Sequence, residues 1–236
     1  MRVAIFFTPS ADHPLTKAAS LWLGRDAFSG ENFPQAGGEG LTTPEIEAMT
    51  AAPRRYGFHA TLKPPFHLAS GRQLDDLEAS VDSACKTLHP VDLGTLRVAR
   101  IGSFFALTPA EISRPAHDLA AEIVRSLDDF RAPPSKAEIE RRRPDRLTAR
   151  QRDNLERWGY PYVFDDFRFH MTLTGEVAED RRVTMERLLA KRFSPLLDEP
   201  VEIDAVSLFV EPEPPGNFRF RKRIELSSSQ KDVDAA

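Results

Sequence analysis

Two of the six histidines in this 236-residue chain sit in matching pentapeptides: FHATL at 58–62 and FHMTL at 169–173. Side chains alternate across a strand, so residues two apart share a face. In the first copy, Phe58, Ala60 and Leu62 then point into a core, and His59 and Thr61 point away from it. In the second, Phe169, Met171 and Leu173 are the core set, and Arg168, His170, Thr172 and Thr174 line the other side. Each strand presents an imidazole beside a hydroxyl. Two imidazoles can divide the roles of general base and general acid near neutral pH. Two hydroxyls can hold the non-bridging oxygens of a phosphate as charge builds on them. The set suits a phosphodiester whose leaving oxygen needs a proton, a cyclic phosphate above all, and it calls for no metal or other cofactor.

Such a site forms only if the two strands meet. The order of expected elements supplies a reason. The first half reads as a strand at 2–8, helices at 14–23 and from Thr43-Pro44 (Thr43 the N-cap, Pro44 in the first turn), the first motif strand at 56–62 ended by Pro64-Pro65, a helix at 74–88, and strands at 93–100 and 103–108. The second half reads as a helix at 116–130, the second motif strand at 163–174, a helix at 181–193, and strands at 201–210 and 217–226. Helix, motif strand, helix and strand pair occur twice, which points to duplication. A pseudo-two-fold arrangement would bring the motif strands side by side.

His59-Ala-Thr61-Leu62 and His170-Met-Thr172-Leu173 resemble the paired His-x-Thr-x motifs of the 2H phosphoesterase superfamily. The longer stretches RRYGFHATLKPPFHL (54–68) and DDFRFHMTLTG (165–175) resemble a narrower branch, the phosphonate-metabolism proteins encoded beside carbon–phosphorus lyase genes. The resemblance implies an α+β, bilobal duplicated fold with two antiparallel sheets around a central cleft and helices outside. It spans residues 1–226 as one domain, about 1–110 and 111–226 as halves, with an arginine-rich helical insertion at 134–158 and a tail at 227–236. It implies metal-independent phosphodiester chemistry with His59, Thr61, His170 and Thr172 as the catalytic set, and a small ribosyl cyclic phosphate as first candidate substrate. His170 is assigned as base and His59 as acid, roles that pseudo-symmetry lets exchange.

Arg55, Lys63 and Arg168 share the polar face by alternation, and Tyr56 caps the cleft if the strand bulges; these four are the candidate substrate-binding residues. His13, His67, His89 and His117 are expected to be structural or superficial, and Cys85 a buried thiol. Residues 136–158 carry seven arginines, one lysine and five acids. Such runs are mostly solvated faces laced with ion pairs; the other reading is a lid bringing arginines to an anionic substrate.

Composition narrows the classes. Apolar residues at 41% and charged residues at 29% fit a globular protein. A net charge of −4 argues against nucleic acid as main partner. No apolar run is long enough to span a membrane, and a lone cysteine fits the cytoplasm. No His-x-Glu-His or clustered carboxylate spacing suggests a metal site. Two competing readings stay open, an RNA 2′,3′-cyclic-phosphate end-processing enzyme and a non-catalytic module that binds a phosphorylated ligand. Oligomeric state is not legible.

Overall fold

The duplicated order reappears as a duplicated pairing pattern in the computed structural model, which describes residues 1–227. The first half runs β1 (Arg2–Phe7), α1 (Pro14–Leu23), α2 (Thr43–Arg54), β2 (Ala60–Phe66), α3 (Leu74–Cys85), β3 (Val91–Asp92) and β4 (Leu96–Ile101). The second runs β5 (Phe104–Pro109), α4 (Arg114–Ser126), the insertion with α5 (Lys136–Arg141) and α6 (Ala149–Trp158), β6 (Met171–Thr172), α7 (Arg182–Phe193), β7 (Glu202–Ile203) and β8 (Ala205–Glu211). β9 (Arg219–Glu225) completes the chain as a hairpin partner of β8.

The fold is α+β with antiparallel pairing throughout. A seven-stranded sheet has the order β4-β5-β6-β2-β1-β8-β9, and a separate ribbon pairs β3 with β7. The large sheet is two wings. They meet where the motif strands β2 and β6 pair through Ala60 and Met171. Within the wings the register is the same: β1 sets Phe6 opposite Thr61 and Phe7 opposite Ala60, and β5 sets Ala106 opposite Thr172 and Leu107 opposite Met171. β5 therefore plays in the second half the part β1 plays in the first, and by pairing the repeat falls at β1–β4 and β5–β8. β4 joins the wing of β5, and β8 joins the wing of β1, so each half lends a strand to the other.

The alternation assigned to the motifs holds. Phe58, Ala60, Leu62, Phe169, Met171 and Leu173 are all buried in the main core, where residues of α1, α3, α4 and α7 cover them. β1 is buried on both faces, as its unbroken apolar run suggests. Val3, Ile5 and Phe7 enter the main core, while Ala4 and Phe6 join Phe209, Phe218 and Ala27 in a smaller cluster on the motif side.

Three local expectations are corrected. Pro64-Pro65 do not end β2, which continues to Phe66. Among the described residues the strand has no partner on its β6 side past Ala60, and a bulge against β1 accommodates the prolines, so their missing N–H groups cost no ladder bond. The second motif strand is far shorter than 163–174, because Phe164–Asp166 coil into a single helical turn. The cap of α2 is Thr42, not Thr43: its side chain accepts from Glu45 N, and the Glu45 carboxylate returns to Thr42 N at 2.8 Å. Of the expected tail, Ser227 bonds through its backbone N–H to the Cys85 and Leu88 carbonyls; residues 228–236 lie outside the described residues.

Candidate active site

His59 immediately precedes β2, and its setting is built by the loop before it. Gly57 has φ +80°, and a Cβ there would stand 2.4 Å from Ala27 Cβ, so backbone shape and crowding both require glycine. Beneath this loop the buried Arg25 guanidinium donates to the carbonyls of Arg54, Arg55 and Phe218. The Gly57 carbonyl accepts from His59 Nδ1 at 2.9 Å. That bond fixes the proton on Nδ1 and leaves the Nε2 lone pair to the cleft, 3.3 Å from Thr61 Oγ1. Phe6 lies 3.9 Å from the imidazole, centroid to centroid, and Tyr56 lies at 5.8 Å while stacking on Phe218. Burial pushes the His59 pKa down to about 4; the Gly57 bond works against the shift and His170 adds to it.

His170 precedes β6 in the same way. Its Nδ1 donates to the Arg168 carbonyl at 2.7 Å, again two residues back, and Phe104 is 5.7 Å from its ring. Burial lowers its pKa as well, opposed by the Arg168 bond. The strand that follows is tied down by backbone. Thr174 Oγ1 accepts from Phe105 N at 2.9 Å, and Trp22 Nε1 donates to the Leu173 carbonyl at 2.8 Å. Thr174, placed on the motif face by alternation, thus serves β5 as a structural hydroxyl.

The two half-sites open into one chamber of about 320 Å³. His59, Thr61, His170 and Thr172 line it together with Phe6, Tyr56, Phe104, Tyr160 and Arg142. A second space of about 620 Å³ adjoins it, shares Thr61, His170, Phe104 and Tyr160, and extends toward Arg150, Tyr162 and Arg168. The catalytic candidates converge. The four binding candidates do not all follow them.

Tyr56 reaches the chamber, and Arg168 reaches the rim of the second space. Arg55 is turned away: its guanidinium pairs with the fully buried Glu211, which also pairs with Arg2, and it donates to the Gly216 carbonyl. Lys63 is also absent from the chamber. A register shift against β1 between Lys63 and Thr61 reverses the alternation and sends the side chain to the helix side. There, 1% exposed, its ammonium donates to the Val124 carbonyl at 3.1 Å and to Asp128 at 3.0 Å. Asp128 in turn accepts from Arg131 at 2.9 and 3.0 Å, and Arg131 donates to the Arg157 carbonyl at 3.0 Å. This clasp ties the motif strand to both ends of the insertion.

Most insertion arginines are solvated or ion-paired, Arg150 with Asp166 and Arg157 with Asp153 among them. Arg142 and Tyr160, by contrast, stack at 4.7 Å in the wall of the chamber. Neither stood out in the sequence. An arginine run does not say which member turns inward, and Tyr160 belongs to a loop, GYPY, with no periodicity. Phe6 was legible in principle, since alternation along β1 sets it apart from Phe7. The remaining histidines have local duties. His13 caps α1, His67 and His89 bond the Met1 and Ser227 carbonyls, and His117 packs edge-on to Phe167.

Residues 61–219 match the model of a protein family described as "Protein of unknown function (DUF1045)". The chain belongs to this family. The match takes in Thr61, His170 and Thr172 and begins two residues after His59. Two curated relatives carry the name "Ribose 1,5-bisphosphate phosphokinase PhnN". One, from Janthinobacterium sp. (strain Marseille), is 36% identical over 96% of this chain and 51% of its own length. The other, from Laribacter hongkongensis (strain HLHK9), is 34% identical over 96% of this chain and 52% of its own. The DUF1045 chain thus spans about half the length of these relatives. Among solved structures, "Crystal structure of phosphoesterase" aligns with TM-score 0.42 and 10% identity, covering 96% of this chain and 98% of that one. "Crystal structure of E.coli LigT complexed with 3'-AMP" aligns with TM-score 0.43 and 13% identity, covering 95% and 97%. Both likenesses are remote, and the site stands on its own geometry.

Proposed function

We propose that this DUF1045 protein is a phosphoesterase that opens a cyclic phosphate on a small ribose phosphate or nucleotide by two-histidine acid–base catalysis. One observation carries the reading. Two imidazoles, each with Nδ1 committed to a carbonyl two residues back, share a chamber with Thr61 and Thr172. His59 takes the base role because burial keeps it unprotonated at rest, with its Nε2 lone pair free. Its Nε2 takes a proton from water, the hydroxyl oxygen bonds to phosphorus, and the ring P–O bond breaks. The departing oxygen receives the proton of a protonated His170. This order reverses the roles assigned from sequence. Thr61 and Thr172 hold the non-bridging oxygens.

The relatives' name supports a ribose phosphate as substrate class and a place in phosphonate metabolism. Their phosphokinase activity is not carried over, since this chain has no Gly-x-x-x-x-Gly-Lys-Ser/Thr phosphate loop. The second space beside His170 has room for more than a monosaccharide, which keeps cyclic-ended RNA in view as the alternative substrate. Among the described residues no helix is long and apolar enough to cross a membrane.

The test is a turnover screen with EDTA present, against ribose 1,2-cyclic phosphates, nucleoside 2′,3′-cyclic phosphates and cyclic-ended RNA. Turnover of a small cyclic phosphate, abolished in both His59→Ala and His170→Ala, is the expected result. Full activity in both variants ends the proposal; turnover of RNA ends alone selects the alternative. Tight binding without turnover across a broad pH range would mark a binding module.

A further inference from the structure

Resting on that reading, we propose that Arg142 anchors a second anionic group of the substrate, a phosphomonoester on the same small sugar, away from the reacting phosphorus. Among the described residues the motif strands bring imidazoles and hydroxyls but no cation into this chamber: Lys63 and Arg55 are each committed to a carboxylate elsewhere, and Arg168 reaches only the adjoining space. Arg142 comes instead from the insertion, at the end of α5. It is half-buried, lines the chamber, and makes no ion pair and no side-chain hydrogen bond among the described residues. A guanidinium held beside a cavity with its donors uncommitted is a ready partner for a phosphate.

Three features hold it there. α5 begins with a reciprocal capping box between Ser135 and Glu138, which fixes the helix that ends next to Arg142. Arg143 follows with φ +49°, an uncommon conformation for a residue other than glycine, at the point where the chain turns off the chamber wall. The Tyr160 ring then supports the guanidinium from one side at 4.7 Å.

Aromatic rings also line the wall between the segments that supply these groups. Tyr56 lies between Phe218 and His59, and Tyr160 rather than His59 carries Arg142. Arg142 and the histidines thus line one chamber of about 320 Å³ from different segments of the chain. A diester at the histidines and a monoester at Arg142 would share it.

The experiment is calorimetric titration with ribose 5-phosphate, a sugar monoester with no cyclic group. Removing a charge-assisted contact predicts a rise in Kd of about tenfold or more in Arg142→Gln. Partial recovery is expected in Arg142→Lys, and a change under about threefold, less than half of that contact's free energy, in His170→Ala. Circular dichroism verifies that the variants are folded. No binding to the wild-type protein, or an unchanged Kd in Arg142→Gln, overturns the anchor. So does an equal loss in His170→Ala, which would seat the phosphate at the histidines. Failure of the hydrolase reading shows separately, as absence of turnover in the cyclic-phosphate screen, and leaves this binding result intact.

Discussion

The half-sites of His59 and His170 share a plan and differ in what surrounds it. In each, a strand residue opposes the motif threonine, and the histidine Nδ1 bonds the carbonyl two residues back. Yet Phe6 opposes Thr61 and packs, tilted, against His59, whereas the register-equivalent residue opposite Thr172 is Ala106. The bend before His59 uses a positive-φ glycine over a buried arginine; before His170 the same contact comes from Arg168 without a positive φ. Duplication supplied two equal imidazoles. The Phe6 ring is one contact that His59 has and His170 lacks, on the half-site whose burial holds its histidine's pKa down to about 4; on the proposed function, such a difference helps divide the acid and base roles.

The harshest way to break the comparison is to remove each imidazole. His59→Ala and His170→Ala are each expected to lower kcat by about 10²–10⁴-fold, the usual span for a positioned acid or base. If one loses activity and the other keeps it, the two-histidine division fails.

Next in size is a stability difference. Above an ordinary pKa of 6.5, His59 is neutral in both folded and unfolded chains. Between 6.5 and about 4 the unfolded chain gains a proton that the folded one refuses, so stability declines as pH falls through that window. The decline is worth roughly 3 kcal/mol over the full interval. Urea unfolding at pH 7 and near pH 4.5 should show most of it in the wild type and a clearly smaller decline in His59→Gln. Equal slopes would mean that burial does not set this group's affinity.

A subtler change targets the packing partner. Phe6→Leu keeps an apolar contact at a cost of about 1–1.5 kcal/mol, and it admits water beside the ring. The acid limb of kcat/KM is then expected to move up in pH from its wild-type position near 4. An unmoved limb would show that Phe6 does not distinguish the half-sites. On the proposed order of proton transfers the alkaline limb reports His170 and is expected below 6.5, because burial lowers that group too.

The smallest effect concerns the hydroxyls. Thr61→Val and Thr172→Val should each cost about tenfold in kcat/KM, the size of one lost hydrogen bond to a charged group. Thr61 also meets His59 Nε2, so only its replacement should shift the pH profile. Matching shifts from both would erase that asymmetry.

Much of this was legible in the chain. Period-two alternation identified the core anchors and the exposed His-x-Thr units, because pleating acts residue by residue. The repeated order of elements anticipated a meeting of the motif strands, although not that the halves would exchange β4 and β8. Alternation failed at Lys63, where a bulge not visible in composition reversed the faces, and at Arg55, whose fate depends on Glu211, 156 residues away. Arg142 and Tyr160 escaped for the same reason. They come to the site through the path of a long insertion, and no local pattern encodes where such a path returns.

The Lys63–Asp128–Arg131 clasp has one more consequence. Because Arg131 holds the Arg157 carbonyl, the insertion leaves and re-enters the fold at a single fastened neck. Apart from the Arg150–Asp166 pair, changes inside the segment then leave the neck and the motif strands fastened. On the proposed function, the wall that Arg142 supplies then sits on a stretch of chain separate from the histidines, and residues 132–156 are the natural place to redesign what the chamber accepts.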